Sequence, residues 1–110
     1  MRKIKISDDA YYDISEMFSY ISADNKQAAK NLRQRIYKGI KGLSDFPFQY
    51  PAVQAEDAPG AERGYRYMVI SPYIVFYRVV DDIIVVARVL HSRQNWLHLL
   101  FGFDEGSNER

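Results

Sequence analysis

Arg66, Arg88, His91 and Arg93 are the side chains of this chain best suited to chemistry on a phosphodiester. Cleaving RNA without a metal requires groups that activate a 2′-hydroxyl, stabilise the extra phosphate charge and protonate the leaving oxygen. Three guanidiniums and an imidazole that can be reached from one side suit the later two tasks. His91 belongs to the residue type that changes charge near neutral pH. The set is incomplete, because no lysine follows Lys41 and the approach to Arg66 offers only Glu62 and Arg63. A structural alternative stands beside each residue. His91 could be a hydrogen-bonded histidine at a strand end. Arg66 and Arg88 could pair with carboxylates such as Asp13 or Glu16, or with a partner chain. His98, set among leucines, reads as a surface or packing residue. No His, Asp or Glu cluster has metal-ligand spacing, no glycine-rich phosphate loop is present, and no nucleophile has an adjacent base. Neither a metal nor a cofactor is expected.

The elements that would position these residues follow from periodicity. Residues 2–6 alternate, with Ile4 and Ile6 on one side, as in a short strand. Ser7 suits an N-cap, and Asp8 and Asp9 suit the positive end of a helix dipole. Ala10, Ile14, Met17, Phe18 and Ile21 then recur at helical spacing, predicting a helix over 8–22. Asp24 followed by Gln27 has the form of a capping box. Ala29, Leu32, Ile36, Ile40 and Leu43 predict a second helix over 25–45, ended by Pro47. The short connection predicts an antiparallel helical hairpin. Residues 47–64 are loop-like, with Pro47, Pro51, Pro59, Gly60 and Gly64 and the acidic Glu56, Asp57 and Glu62. Strands are predicted at 65–70, 73–80 and 83–90. Ser71-Pro72 and Asp81-Asp82 mark turns, which makes an antiparallel meander. Residues 94–101 read as a short C-terminal helix, and 102–110 as a frayed tail. The nine tyrosines read mostly as amphipathic packing residues.

Both parities of the three later strands are largely apolar. A sheet buried on one side should alternate apolar and polar residues. The hairpin can cover only one face, so the second face needs another cover. Trp96, Leu97, Leu99, Leu100 and Phe101 could supply some or all of it, and a partner chain the rest. Met68, Ile70, Phe76 and Arg78 share one parity of their strands and are candidate partner-binding residues.

Composition narrows the classes further. With 110 residues, 47% apolar and 26% charged, the chain is one globular domain, 1–110. There are no cysteines, so disulfides and thiolate sites are excluded. The apolar runs are strand-sized, and Met1 opens into a charged segment, so neither a membrane span nor export is expected and the location is read as cytoplasmic. A net charge of +1 does not predict DNA binding by the chain alone. Between Asn25 and Gly42, however, lie Lys26, Lys30, Arg33, Arg35, Lys38 and Lys41 with no acidic residue. This run is either a solvated helix face or a basic surface for an acidic partner, with Lys30 and Arg33 as candidate contacts.

The ordered wording carries a resemblance. Ala10-Tyr11-Tyr12-Asp13-Ile14 and Tyr20-Ile21 lie in the first helix, and Leu43-Ser44-Asp45-Phe46-Pro47 closes the second. Gly64-Tyr65-Arg66-Tyr67-Met68-Val69, Tyr73 to Val79, and Ile84 to Arg93 with its Arg-Val-Leu-His-x-Arg string complete it. The chain resembles the ParE branch of the ParE/RelE toxins, the plasmid-stabilisation proteins, over about residues 3–95. Ser92-Arg93-Gln94-Asn95 departs from the Gly-Arg-Arg-Asp that often follows this histidine. The resemblance implies an α+β fold, with an N-terminal strand and a helical hairpin on a mostly antiparallel sheet. It also implies the toxin role of a type II toxin–antitoxin system, with an antitoxin that wraps the toxin with a helix or strand. ParE-type members poison DNA gyrase, whereas RelE-type members cleave mRNA in the ribosome. The tyrosine expected near the C-terminus of RelE is missing, and Trp96 is the nearest aromatic. Gyrase inhibition by binding is therefore the expectation, with Arg93, Asn95 and Trp96 as target-docking residues. The alternative is ribosome-dependent mRNA cleavage by Arg66, Arg88, His91 and Arg93. A homodimer in the absence of antitoxin is a further expectation.

Overall fold

The computed structural model describes residues 2–54 and 64–101. The acidic loop residues Glu56, Asp57 and Glu62, together with Pro59, Gly60, Arg63 and the expected tail 102–110, lie outside the described residues. So do the side chains of Leu97, His98 and Phe101.

The chain runs β1 (Lys3–Ile6), α1 (Asp8–Ser22), α2 (Lys26–Gly42), β2 (Arg66–Ile70), β3 (Tyr73–Val80), β4 (Ile83–His91) and α3 (Trp96–Phe101). Ser7 caps α1 as expected, its hydroxyl accepting from Ala10 N at 3.0 Å. The same hydroxyl donates to Ala87 O at 2.8 Å, which ties the start of the helix to β4. The cap of α2 is not the Asp24–Gln27 box. Asn25 is the N-cap, accepting from Ala28 N at 2.9 Å, and Gln27 instead bonds Asn31 within the helix. Asparagine competes equally with aspartate for this position. The helix also stops short of Pro47. Leu43, Ser44 and Asp45 each donate three residues back, so the last turn tightens just past Gly42.

The sheet order is β1-β4-β3-β2. β2, β3 and β4 form the expected antiparallel meander, and β1 joins β4 in parallel, Ile6 opposite Val86. Asp81 turns the corner between β3 and β4 at φ 55, a left-handed conformation that aspartate tolerates.

The strands do have two apolar faces, but the face sets differ from simple parity. Register pairs Met68 with Val75 and Tyr67 with Phe76. A bulge lets Phe76 face Arg88 while Tyr77 faces Val86, so Ala87 is extra and parity flips along β4. Against the hairpin lie Met68, Tyr73, Val75, Tyr77, Ile84, Val86 and Val89, packed on Ala10, Ile14, Met17, Leu32, Ile36, Ile40 and Leu43. On the other face Phe76 and Leu90 are covered by Leu100 and Val53, with Trp96 and Leu99 beside them. α3 and the segment around Val53 thus cover the centre of the second face. Val69, Val80 and Ile83, toward its margins, remain exposed.

Candidate functional site

Beyond Val86, β1 no longer flanks β4. The strand continues to His91 with its outer edge free for other partners. α1 provides one: the Asp13 carboxylate accepts from Val89 N at 2.9 Å, as a neighbouring strand would. It also receives both arms of Arg88, Nε to Oδ2 at 2.8 Å and NH2 to Oδ1 at 2.8 Å. The third nitrogen of Arg88 donates to Leu99 O at 3.0 Å. One guanidinium therefore joins α1, β4 and α3. Both partners are largely removed from water, at 18% and 7% side-chain exposure. A two-armed pair of this kind is among the stronger side-chain interactions. The Asp13 hydrogen bonds, opposed by burial, raise the Arg88 pKa, so the arginine is a fixed charge.

Above this pair opens a cleft of about 650 Å³ between α1 and the end of β4. Tyr12, Glu16 and Tyr20 form one wall, and Tyr73, His91, Arg93 and Gln94 the other. Tyr12 and Tyr20 are 62% and 80% exposed. With Glu16 they fall four residues apart, on a stripe of α1 next to its buried one. The general reading of the tyrosines as packing residues does not hold for these two, nor for the exposed Tyr11. Their offset from the apolar stripe was the available signal.

His91 closes the far end. Its Nδ1 accepts from Arg93 N at 3.1 Å, its own N–H donates to Gln94 Oε1 at 2.6 Å, and its ring meets Tyr73 edge-on at 5.2 Å. With Nδ1 engaged as an acceptor, Nε2 is the ring nitrogen left for another partner. Arg93 is exposed, and its guanidinium has no ion pair among the described residues. The cleft also contains the carboxylate of Glu16, which opposes an incoming phosphate, while that of Asp13 is paired with Arg88.

Three of the four phosphodiester candidates, Arg88, His91 and Arg93, thus share one cleft. Arg66 does not. It donates to Tyr50 O at 2.7 Å and to Phe48 O at 3.5 Å, with Phe48 under its guanidinium at 5.0 Å. Together with Tyr77, whose hydroxyl donates to Pro47 O at 2.6 Å, it pins the 47–50 loop. Burial pushes the Tyr77 pKa up to about 12.

The expected docking residues are adjacent. Arg93 and Asn95 are exposed, and Trp96 is half-buried, stacked on Phe76 at 5.5 Å. The expected antitoxin contacts do not converge. Met68 and Ile70 face the hairpin, whereas Phe76 lies on the opposite face under α3. Met68 and Phe76 are both buried. Arg78 covers Tyr65 at 5.4 Å. Lys30 is exposed on α2, and Arg33 covers Phe18 at 4.0 Å in a groove of the hairpin lined by Tyr11 and Tyr37. Strand parity grouped Met68 with Phe76, whereas register places them on opposite faces.

Comparison with known proteins follows the same lines. The family model described as "ParE toxin of type II toxin-antitoxin system, parDE" matches residues 4–96. A curated relative from Sinorhizobium fredii (strain NBRC 101917 / NGR234), named "Putative toxin Y4kP", is 29% identical over 89 residues, covering 79% of this chain and 84% of its own. In solved structures the fold is similar to a chain described as "Chromosomal ParDE TA system from P. aeruginosa". That match has a TM-score of 0.66 and 21% identity, and it covers 83% of this chain and 96% of that one.

Proposed function

Because the chain belongs to the ParE toxin family of type II toxin–antitoxin systems, we propose that a cognate antitoxin neutralises it and that it acts in the cytoplasm by docking on DNA gyrase, not by cutting RNA. The observation that carries docking over cutting is the engagement of Arg88. Its guanidinium is bound on every side by Asp13 and Leu99 O. Three of its five N–H groups are committed to those partners and its charge is paired with Asp13, so it is fixed in the fold and poorly suited to follow charge onto a phosphate, which is what transition-state stabilisation demands. Arg66 is held by loop carbonyls elsewhere. What remains in the cleft, once Asp13 and Arg88 have paired, is His91, Arg93 and the carboxylate of Glu16. Arg93, Asn95 and Trp96, with Tyr12 and Tyr20 across the cleft, instead offer the arginine and aromatic anchors that dominate binding energetics.

Inducible expression in a bacterial host tests this. Wild type should arrest growth, and the small reading frame encoded beside the gene should relieve the arrest. His91→Ala should stay toxic, because no proton transfer is required of it, whereas Arg93→Ala with Trp96→Ala should lose toxicity. A harmless His91→Ala variant that still folds would favour the rival reading, ribosome-dependent mRNA cleavage in this cleft.

A further inference from the structure

α2 carries its charges in an arrangement that a solvated helix does not need. Its outer face presents Lys26, Lys30, Arg35, Lys38 and Lys41, all exposed. The helix contains no carboxylate, and Asp24 and Asp45 lie beyond its two ends. Lys26 and Lys30 stand four residues apart, and Arg35, Lys38 and Lys41 follow at intervals of three, spacings at which like charges repel and weaken a helix. Lys26 also opens the first turn, at the positive end of the helix dipole, where an acid is favoured. The salt bridge among the described residues joins Arg88 to Asp13, so none of the five cations is neutralised within the fold. In a chain of net charge +1, positive charge is thus gathered on one helix against local preference. Such a conflict points to a partner outside the helix.

The chemistry of the face narrows that partner. Between the cations stand the exposed amides Gln27, Asn31 and Gln34. Asn31 and Gln34 line a hollow of about 450 Å³ with Arg35 and Lys38, and no described residue lining it is apolar or aromatic. Tyr37, the aromatic residue of the helix, packs against the hairpin core, and Arg33 covers Phe18. A protein partner needs aromatic or apolar anchors, and single-stranded RNA needs aromatic rings on which its bases stack. The face offers neither. Cations and amides are the side chains that hold the phosphates of a duplex. From Lys26 to Lys41 the row runs about 22 Å at the rise of an α-helix, roughly two-thirds of a turn of B-DNA.

We propose that the outer face of α2 lies along the phosphate backbone of the duplex DNA that gyrase holds, so that the toxin grips enzyme and DNA together. The inference rests on the gyrase-docking reading above. The hollow on α2 shares no residue with the cleft or with Arg93, Asn95 and Trp96, so both surfaces can be engaged at once. Five cations hold free DNA only weakly at physiological salt. Beside gyrase the DNA is presented at high effective concentration, and the same contacts then add to affinity.

The test measures binding of the purified full chain to DNA gyrase, with and without a duplex fragment. Wild type should bind the gyrase–DNA complex at least about fivefold more tightly than gyrase alone, and the gain should shrink as salt rises. Lys30→Gln with Arg35→Gln and Lys38→Gln removes three cations and keeps good helix formers. This variant should bind gyrase alone as wild type does, lose the DNA gain, and flatten the slope of log affinity against log salt by about 2–3. Lys3→Gln with Lys5→Gln takes two exposed cations from β1 and should keep the gain, which separates the face from overall charge. The chain has no cysteine, so Gln34→Cys carries a single photo-crosslinker on the face, and it should mark DNA. No DNA gain in wild type, a gain retained by the triple variant, or crosslinks to polypeptide and never to DNA would overturn the DNA contact while leaving gyrase docking intact. A wild-type chain that does not bind gyrase would overturn the docking reading and this inference with it.

Discussion

Asp13 is the residue on which most of the local structure depends. It completes the edge of β4, holds Arg88 and, through it, the carbonyl of Leu99 in α3. Removing one member of a largely buried pair leaves the other charged and unpaired, at a cost of about 3 kcal/mol or more. Asp13→Ala should therefore lower urea-unfolding stability by roughly that amount. Arg88→Ala should cost about as much, and the double variant much less than the sum, because the two act as one unit. Tyr77 makes a second prediction. Its pKa rises from 10.0 to about 12 on folding. Below pH 10 both states keep the proton. Between 10 and 12 the unfolded chain loses it first, so stability falls as pH rises through that window. Tyr77→Phe should lose about 1 kcal/mol at neutral pH from the missing hydrogen bond to Pro47 O, and show a shallower alkaline decline. At this scale the sequence already allowed Asp13 as a partner for Arg88, because opposite charges in a helix and a strand limit the choices. It did not tell which of Asp13 and Glu16 would be used, since that depends on where β1 ends.

The helices and strands were legible because each has a period and an end signal. α1 spans the expected 8–22, with Ser7 as its cap. The start of α2 was misread as a box at Asp24 because two adjacent residues can both cap a helix, and only geometry chooses. Asn25→Ala should cost about 1 kcal/mol, and Asp24→Ala only a few tenths. Thermal melts of the two variants side by side would show the difference. The bulge in β4 had no sequence signal. Val85, Ala87 and Val89 read as an even alternation, yet Ala87 packs on the second face and Val89 on the first. That single extra residue sets Arg88 opposite Phe76, on the face where α3 lies, whereas Met68 and Phe76 are separated by the two-residue Ser71-Pro72 turn, which pairs Ile70 with Tyr73 and Met68 with Val75. α3 is short, and its attachment relies on Trp96 stacking over Phe76 and on the Arg88 bond to Leu99 O. Trp96→Ala should cost about 1–2 kcal/mol, below the scale for a core aromatic because Trp96 is only half-buried. It should also raise hydrogen exchange at Leu99 and Leu100 before it affects the hairpin.

At the scale of the whole molecule, the chain is a sheet with both faces apolar, one fully covered by the hairpin and the other only at its centre. Exposed tyrosines on α1, the basic outer face of α2 and the exposed Val69 of β2 surround that frame. These exposed features suit the docking proposed above. Two of the four polar groups that could have served as catalysts, Arg66 and Arg88, are instead held in structural bonds. Inhibition should therefore follow occupancy of a target, with no turnover of RNA. The most direct measurement titrates the purified chain into two reactions under the same buffer conditions. One is supercoiling of relaxed plasmid by DNA gyrase, and the other is translation of a defined mRNA on ribosomes, with primer extension to detect cuts. Supercoiling should fall with dose and saturate, while the mRNA stays whole. Cuts in the mRNA at the ribosomal A site that disappear with His91→Ala, with supercoiling untouched, would contradict the docking reading.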